Sequence, residues 1–328
     1  MKYIISCIIA WMIFTSNIYA QNVELLNTLS LSKKPHQIAF SPNGKYLVIV
    51  DVSDKTKIYS VPDLKTIEIL NIPKISYACF SKDTKFLATK NLNDTVQIHS
   101  LPAFTLIKTF TFPKHSSLQI EFSDNGKLFE ISSFMVKKLY TLPDYDLIKT
   151  TFLDYLLNLY LSDYSPNNIY FANNFQTKEK VIIYSLSENK YLDGLDFQSK
   201  SVEEVFFSPD GKHLVITSAR ELTLTSLSKI DPRTASIYSL PEITLFKTIK
   251  DILGLDNSAT FSPNGKYFAC ISASDDMIRF YSTLDFSLVK VLTDHSDFIL
   301  SIAFSEDSEY LASGGQDKKL NLYRIIPN

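Results

Sequence analysis

Apolar and polar residues alternate in short runs along almost the whole chain, as around Ile38-Ala39-Phe40 and Ile302-Ala303-Phe304. A period of two over a few residues, closed off by Gly, Pro, Asn or Asp, predicts β-strands rather than helices. After residue 20 no stretch keeps a helical period. The strands recur as a unit. The phrase FSPNGKYL (Phe40–Leu47) returns as FSKDTKFL from Phe80, FSDNGKLF from Phe122, YSPNNIYF from Tyr164, FSPDGKHL from Phe207, FSPNGKYF from Phe261 and FSEDSEYL from Phe304. The spacings are 40, 42, 42, 43, 54 and 43 residues, the period of a four-stranded propeller blade.

Each copy reads strand, turn, strand. Asn-Gly or Asp-Gly at the centre is expected to supply the positive-φ residues of a tight hairpin. About a dozen residues later comes a second phrase, IYSVP ending at Pro62, IHSLP at Pro102, LYTLP at Pro143 or IYSLP at Pro241. Pro has no N–H for the ladder, so a third strand ends there and a fourth begins, as at Thr105–Thr109 and Thr244–Thr248. The prediction is an all-β chain, a seven-bladed β-propeller of four-stranded antiparallel blades. The long spacing places a loop extension at Ala219–Ala235 in the fifth blade. The last copy has room for three strands before Asn328, whereas Val23–Ser30 has the fourth-strand pattern. Closure by this N-terminal strand is therefore expected, which removes an exposed sheet edge.

The last copy, LTDHSDFILSIAFSEDSEYLASGGQDKKLNLY from Leu292 to Tyr323, resembles the tryptophan-aspartate (WD) repeat family, and the repeat covers residues 21–328. The resemblance implies a structural tetrad of His295, Ser313, Asp317 and Tyr323, with Tyr where the family has Trp. Elsewhere the naming dipeptide is mostly Tyr-Ser, and the first copy has Leu31 and Ser53 at the His and Asp positions. The segment KKPHQIAFSPNGKYLVIVD (Lys33–Asp51) is also similar to extracytoplasmic bacterial propellers, including lactonase-like, surface-antigen and Tol-envelope types.

The N-terminus changes the picture of where such a ring would work. Lys2, an apolar run from Tyr3 to Phe14, and Ile18-Tyr19-Ala20 before Gln21 read as a signal peptide over residues 1–20. The apolar run is shorter than the ~20 residues of a membrane anchor. Cleavage after Ala20 would leave a domain at 21–328 without a membrane span, periplasmic or secreted. Cys7 lies inside the run, which does not fit a lipid-modified cysteine. Cys79 and Cys270 fall in different blades and are expected as buried, unbridged thiols. Apolar residues make up 45% of the chain, with 18 Tyr and 23 Phe, enough for a core, and recurrent aromatics such as Tyr59, Phe80, Tyr140, Phe207, Tyr238 and Phe261 belong to it. The formal charge of −2 gives no global drive toward nucleic acid or an anionic membrane.

Catalytic signatures are missing. The chain has no Walker-type glycine loop, His-Glu-x-x-His, Cys-x-x-Cys or Gly-x-Ser-x-Gly, so no catalytic residue, metal or cofactor is assigned. Asp294-His295-Ser296-Asp297 is the densest group of possible ligands, but the repeat register makes His295 structural. Ser274-Asp275-Asp276 is read as a turn, and Asn93-Asp94-Thr95 is a sequon of meaning only in a eukaryotic secretory pathway. Function is then sought in the segments leading into each blade's first strand. The binding-face candidates are His36, Gln37, Tyr77, Gln119, Tyr160, Glu203, Glu204, Asn257 and Phe298, a mix of charge and aromatics suited to a protein or peptide partner. The expectation is an exported, monomeric, non-enzymatic scaffold. The alternative is a lactonase-like hydrolase with a metal or acidic site at the channel mouth, built from Glu203, Glu204, Asp256 and His36.

Overall fold

A computed structural model describes residues 23–326, apart from 52–55, 71, 73, 114–117, 124–125, 134–135, 153–161, 175–179, 198–199, 221–232 and 254–257. The described residues open with β1 (Val23–Ser30), and six blades then follow in order. The first is β2 (Gln37–Phe40), β3 (Tyr46–Val50), β4 (Thr56–Ser60) and β5 (Thr66–Leu70). The second is β6 (Ile75–Phe80), β7 (Phe86–Asn91), β8 (Thr95–Ser100) and β9 (Thr105–Thr111). The third is β10 (Gln119–Phe122), β11 (Leu128–Ser132), β12 (Val136–Thr141) and β13 (Leu147–Phe152). The fourth is β14 (Ser162–Tyr164), β15 (Tyr170–Asn173), β16 (Lys180–Ser185) and β17 (Lys190–Asp196). The fifth is β18 (Lys200–Phe207), β19 (His213–Arg220), β20 (Arg233–Ser239) and β21 (Thr244–Ile252). The sixth is β22 (Ala259–Phe261), β23 (Tyr267–Ile271), β24 (Ile278–Ser282) and β25 (Leu288–Leu292). The last blade has β26 (Ile299–Phe304), β27 (Tyr310–Gly315) and β28 (Lys319–Ile325), with β1 as its outer strand.

The predicted seven-bladed, all-β architecture is what the chain adopts; every blade is an antiparallel sheet, six of them in sequential order and the last in the order β1-β28-β27-β26. Closure runs through β1, whose register from Val23↔Ile325 to Ser30↔Lys319 joins the two ends of the ring. First strands of neighbouring blades lie side by side around the axis, as with β2 against β26 and against β6. Side chains there bind the free edge of the adjoining strand: the Gln37 amide donates to the Ala78 carbonyl (3.2 Å) and accepts from its N–H (3.0 Å). The Phe207 N–H donates to Asp163 in the same way across the fourth and fifth blades (2.8 Å).

The core lies between blades, because each sheet has a neighbour on both faces. One cluster joins Tyr267, Phe280 and Ile302 with Val23 and Tyr323, another joins Ile98 with Ile120 and Phe129. Of the recurrent aromatics, Tyr59, Tyr140, Phe207 and Phe261 are buried, and Phe80 and Tyr238 pack partly buried against the clusters. Cys79 and Cys270 are both free thiols, in β6 and β23.

The hairpin turn departs from expectation in one respect. Gly44, Gly126, Gly211 and Gly265 have positive φ, but Asn43, Asp210 and Asn264, before three of them, do not. The loop is longer than a two-residue Asn-Gly turn: the Gly44 N–H donates to the Ser41 carbonyl and the Ser41 N–H to Tyr46 (both 2.9 Å). Asn43 serves through its side chain instead, accepting from the Ser41 hydroxyl (2.8 Å) and the Lys45 N–H (3.1 Å). The fifth-blade extension is also narrower than expected, since β19 runs to Arg220 and β20 begins at Arg233.

Two faces follow from the pairing. Tyr46, after the first turn, sits opposite Ser60, before the Pro62 turn, and Thr66 pairs with Tyr59, so both turns and the start of the outer strand share one end of the blade. This is the turn face. Connections entering the first strands lie at the other end, the loop face.

Candidate functional site

Several of the predicted binding residues stand on the innermost strands rather than in the loops before them. Gln37 and Gln119 open β2 and β10, Tyr77 is the third residue of β6, and Glu203 and Glu204 lie within β18. Strands start earlier than the sequence suggests because the first strand carries a bulge in three blades, at Ser76, Glu203 and Leu300. A bulge keeps pairing while turning one side chain out of alternation. At Glu203 that side chain meets Arg233 (Oε2–Nε 2.7 Å), so this carboxylate has a cation partner from β20.

The structure brings Tyr77 and Gln119 together. They line a loop-face cleft of about 510 Å³ between the second and third blades, with Ser76, Lys90, Leu118, Ile120, Glu121, Glu130 and Ser132. Tyr77 presents an exposed ring (38%). Burial around its hydroxyl, then the neighbouring Cys79 and Glu121, push the phenol up, while a hydrogen bond with Gln37 pulls it down. Lys90 donates to the Leu118 carbonyl (2.5 Å), and its ammonium is shifted down by burial against the opposing pull of Asp94. Glu130 pairs with Lys137 (2.6 Å). The cleft thus offers one aromatic face, hydroxyls, an amide and charges of both signs, which suits a polar peptide with an anchoring side chain.

Other candidates stand apart from it. His36 is exposed at the entry to β2, Phe298 is an exposed ring (49%) before β26, and Glu204 lines a smaller channel-side cavity of about 310 Å³ with Phe206, Thr260 and Phe304. Tyr160, Asn257 and Asp256 lie outside the described residues. Among the described residues no three His, Cys, Asp or Glu side chains are grouped to hold a metal. Asn93 is exposed in the turn between β7 and β8, and Asp275 is held by Arg279 (2.6 Å).

The group from Leu292–Tyr323 is compact. His295 Nδ1 faces Asp317 Oδ2 (3.0 Å), and its Nε2 faces the Ser313 hydroxyl (2.7 Å), while the Tyr323 hydroxyl accepts from the Asn321 amide (3.4 Å). Burial holds the imidazole below its usual value, Asp317 pulling the other way, so Nδ1–H donates to the carboxylate and Ser313 donates to Nε2. Gly315 leaves the space: a Cβ there would sit 2.8 Å from both Asp317 Oδ1 and His295 Nδ1. The Thr28 hydroxyl donates to Asn321 Oδ1 (2.9 Å), so the closing strand is tied to the same network.

Sequence reasoning passed over Lys90, Glu121, Glu130 and the two serines of the cleft. Glu121 carried a readable signal, since most other copies have Ala39, Cys79, Phe206 or Ala303 at its position. Lys90, Glu130 and Ser132 come from second strands, and only the packing of adjacent blades places them here.

Residues 248–282 and 286–324 match the family model described as WD domain, G-beta repeat. The first match runs from the outer strand of the fifth blade to β24, the second from the turn before β25 to β28, so the sequence repeat is offset by one strand from the blade. That offset is why an N-terminal strand completes the last blade. The chain is 25% identical over 174 residues to actin-interacting protein 1 of Drosophila melanogaster, covering 50% of this chain and 25% of that protein. It is 26% identical over 162 residues to WD repeat-containing protein 1-A of Xenopus laevis, covering 49% and 25%. Similarity to protein hir1 of Aspergillus fumigatus is 25% over 143 residues, covering 42% and 14%. The matched stretch thus spans a quarter or less of each relative's length.

Proposed function

We propose that this WD-repeat propeller is an exported, non-enzymatic scaffold that binds a protein or peptide partner on its loop face. The observation that carries the reading is the cleft joining Tyr77 and Gln119 across two blades, lined by adaptable polar groups around one aromatic ring. Aromatic anchors in polar surroundings are the usual source of binding energy at protein interfaces. The relatives favour the same class, one of them being named for its interaction with actin. Export rests on the order of residues in 1–20, and an N-terminus at Gln21 in the recovered protein is its expected mark. Among the described residues of the hydrolytic alternative, Glu203 is engaged by Arg233 and Glu204 lines a cavity that His36 does not reach.

The test is affinity capture from an envelope fraction with the mature chain, beside a Tyr77→Ala, Gln119→Ala double variant. A partner retained by the wild type and reduced ~tenfold or more by the variant is expected, as for loss of an anchor residue. Equal recovery by both proteins, or turnover of lactones with stoichiometric metal, contradicts the proposal.

A further inference from the structure

On the turn face, one N–H at the end of each third strand closes back on the carbonyl just before the second strand, as Val61 does on Lys45, Leu240 on Lys212 and Ile325 on Glu309. In six blades the residue that gives this N–H is Val, Leu or Ile. Val61, Leu101, Leu142, Leu240 and Ile325 pack into the gap toward the preceding blade. The sixth blade has Thr283 instead. Its N–H bonds the Lys266 carbonyl (3.0 Å) as elsewhere, but its hydroxyl turns back to donate to the Gly265 carbonyl (2.6 Å). Leu284 follows where four blades have proline, and its side chain is 89% exposed. The gap beside the sixth blade therefore stays open, as a cavity of about 730 Å³ that reaches from the fifth blade past the sixth turn to the seventh. His213, held by Phe246 and Phe286 (ring centroids 5.6 and 5.3 Å), walls it on the fifth-blade side, and Val289 and Ile325 line the other.

Charge follows the same break in the repeat. Lys85 and Lys212 are neutralised by the aspartate two residues earlier in their turns, Asp83 and Asp210 (3.1 and 3.6 Å). The sixth turn has Asn264 in that place, and the seventh has Asp307 followed by Glu309. Lys266 thus lacks its acid and Glu309 its cation. Both line the cavity, and neither makes an ion pair among the described residues, with each other or with a neighbour.

We propose that this cavity binds a short free peptide, with its carboxylate on Lys266, its ammonium on Glu309 and an apolar side chain against Leu284 and Val289. Three observations select this ligand. The volume falls in the range of small-molecule sites, ~300–1,000 Å³. The lining carries Asp210, Asp307 and Glu309 against Lys212 and Lys266, so a lone anion or a lone cation meets like charge close by, whereas a zwitterion finds an opposite charge for each end. Lys266 and Glu309 come from successive blades and do not reach each other, so one ligand touching both needs charges further apart than those of a single amino acid. The loop-face cleft takes no part in this site, which stands whether or not that cleft binds a protein.

The seven blades are built from residues 23–325 alone, so the chain from Gln21 is the protein to test. It is titrated calorimetrically with the tripeptide Ala-Leu-Ala, with its N-acetyl form, with its C-terminal amide and with sodium acetate. Saturable binding of one free tripeptide per chain is expected, and either cap should weaken it ~tenfold or more, as for loss of a charged hydrogen bond. Lys266→Gln should bind the free and amidated peptides alike, and Glu309→Gln the free and acetylated ones alike, both variants melting as the wild type does. Thr283→Leu, which restores the side chain of the other blades, should abolish binding. Lys45→Gln, at the same place in the first blade where Val61 fills the gap, should leave it unchanged. The proposal is overturned by absence of saturable binding of the free tripeptide, by caps without effect, or by acetate binding as tightly as the peptide. Wild-type affinity and cap dependence in Lys266→Gln or Glu309→Gln would overturn it too, and these two exposed-site variants decide the matter even where Thr283→Leu alters folding.

Discussion

His295 shows how one side chain can tie two strands of a blade together. Its two ring nitrogens are used by Asp317 and Ser313, and burial favours the neutral ring. Burial alone would push Asp317 up, but the Ser296 N–H, His295 and the Lys319 N–H together hold it below the usual carboxylate value. Both shifts have the same consequence. An unfolded chain takes up a proton on its histidine near pH 6.5 and on its aspartate near ~3.9, before the folded protein does, so stability falls as pH drops through each region. Thermal melts should show a lower midpoint at about pH 5 than at about pH 7.5, and His295→Gln should narrow that difference, burial of His99 and His213 supplying the rest. Asp317→Asn should cost about 1.5–3 kcal/mol at neutral pH by denaturant titration, since the buried ring loses a charged acceptor. Gly315→Ala should be comparably harmful, its methyl group meeting both partners of the pair. These residues were legible because the last copy keeps the family spacing. The cleft was half legible: Tyr77 and Gln119 stood out as irregular loop-face residues, but Lys90 and Glu130 read as ordinary strand positions until neighbouring sheets were packed.

Within a single blade, the first hairpin is the deciding element. Gly265 has φ of +69°, and a methyl group added to it would have no atom closer than 3.9 Å, so Gly265→Ala isolates the conformational cost. That cost is about 1–2 kcal/mol for an L-residue in the left-handed region, readable as a lowered denaturation midpoint. Thr84, Asn168 and Ser308 occupy the same place in other blades with positive φ. Two of them gain something in return, because Asn43 and Asn264 of the preceding blades donate their N–H groups to the Thr84 and Ser308 hydroxyls (3.1 and 3.0 Å). Strand count and order could be read from the repeat, since period and turn residues are local. First-strand limits could not, because the bulges at Ser76, Glu203 and Leu300 depend on the partner strand.

The ring as a whole has its core between sheets and its two ends joined by β1. Deleting residues 21–30 would bare β28, where Leu320 and Leu322 are fully buried, and leave Asn321 without Thr28. A lower melting midpoint and aggregation of the truncated chain are expected, whereas an unchanged midpoint with a monomeric product would refute this closure. The blade number was legible from seven copies of one phrase; the place of the bulges and the residues that line the cleft were not, because they depend on which strands meet. Hydrogen exchange of the chain from Gln21, with a partner if one is captured, reads the binding face amide by amide. Slowed exchange is predicted around Tyr77 and Gln119, with the turns at Gly44, Gly211 and Gly265 unchanged. Protection confined to those turns, with the cleft exchanging as in the free protein, would contradict a loop-face binding site.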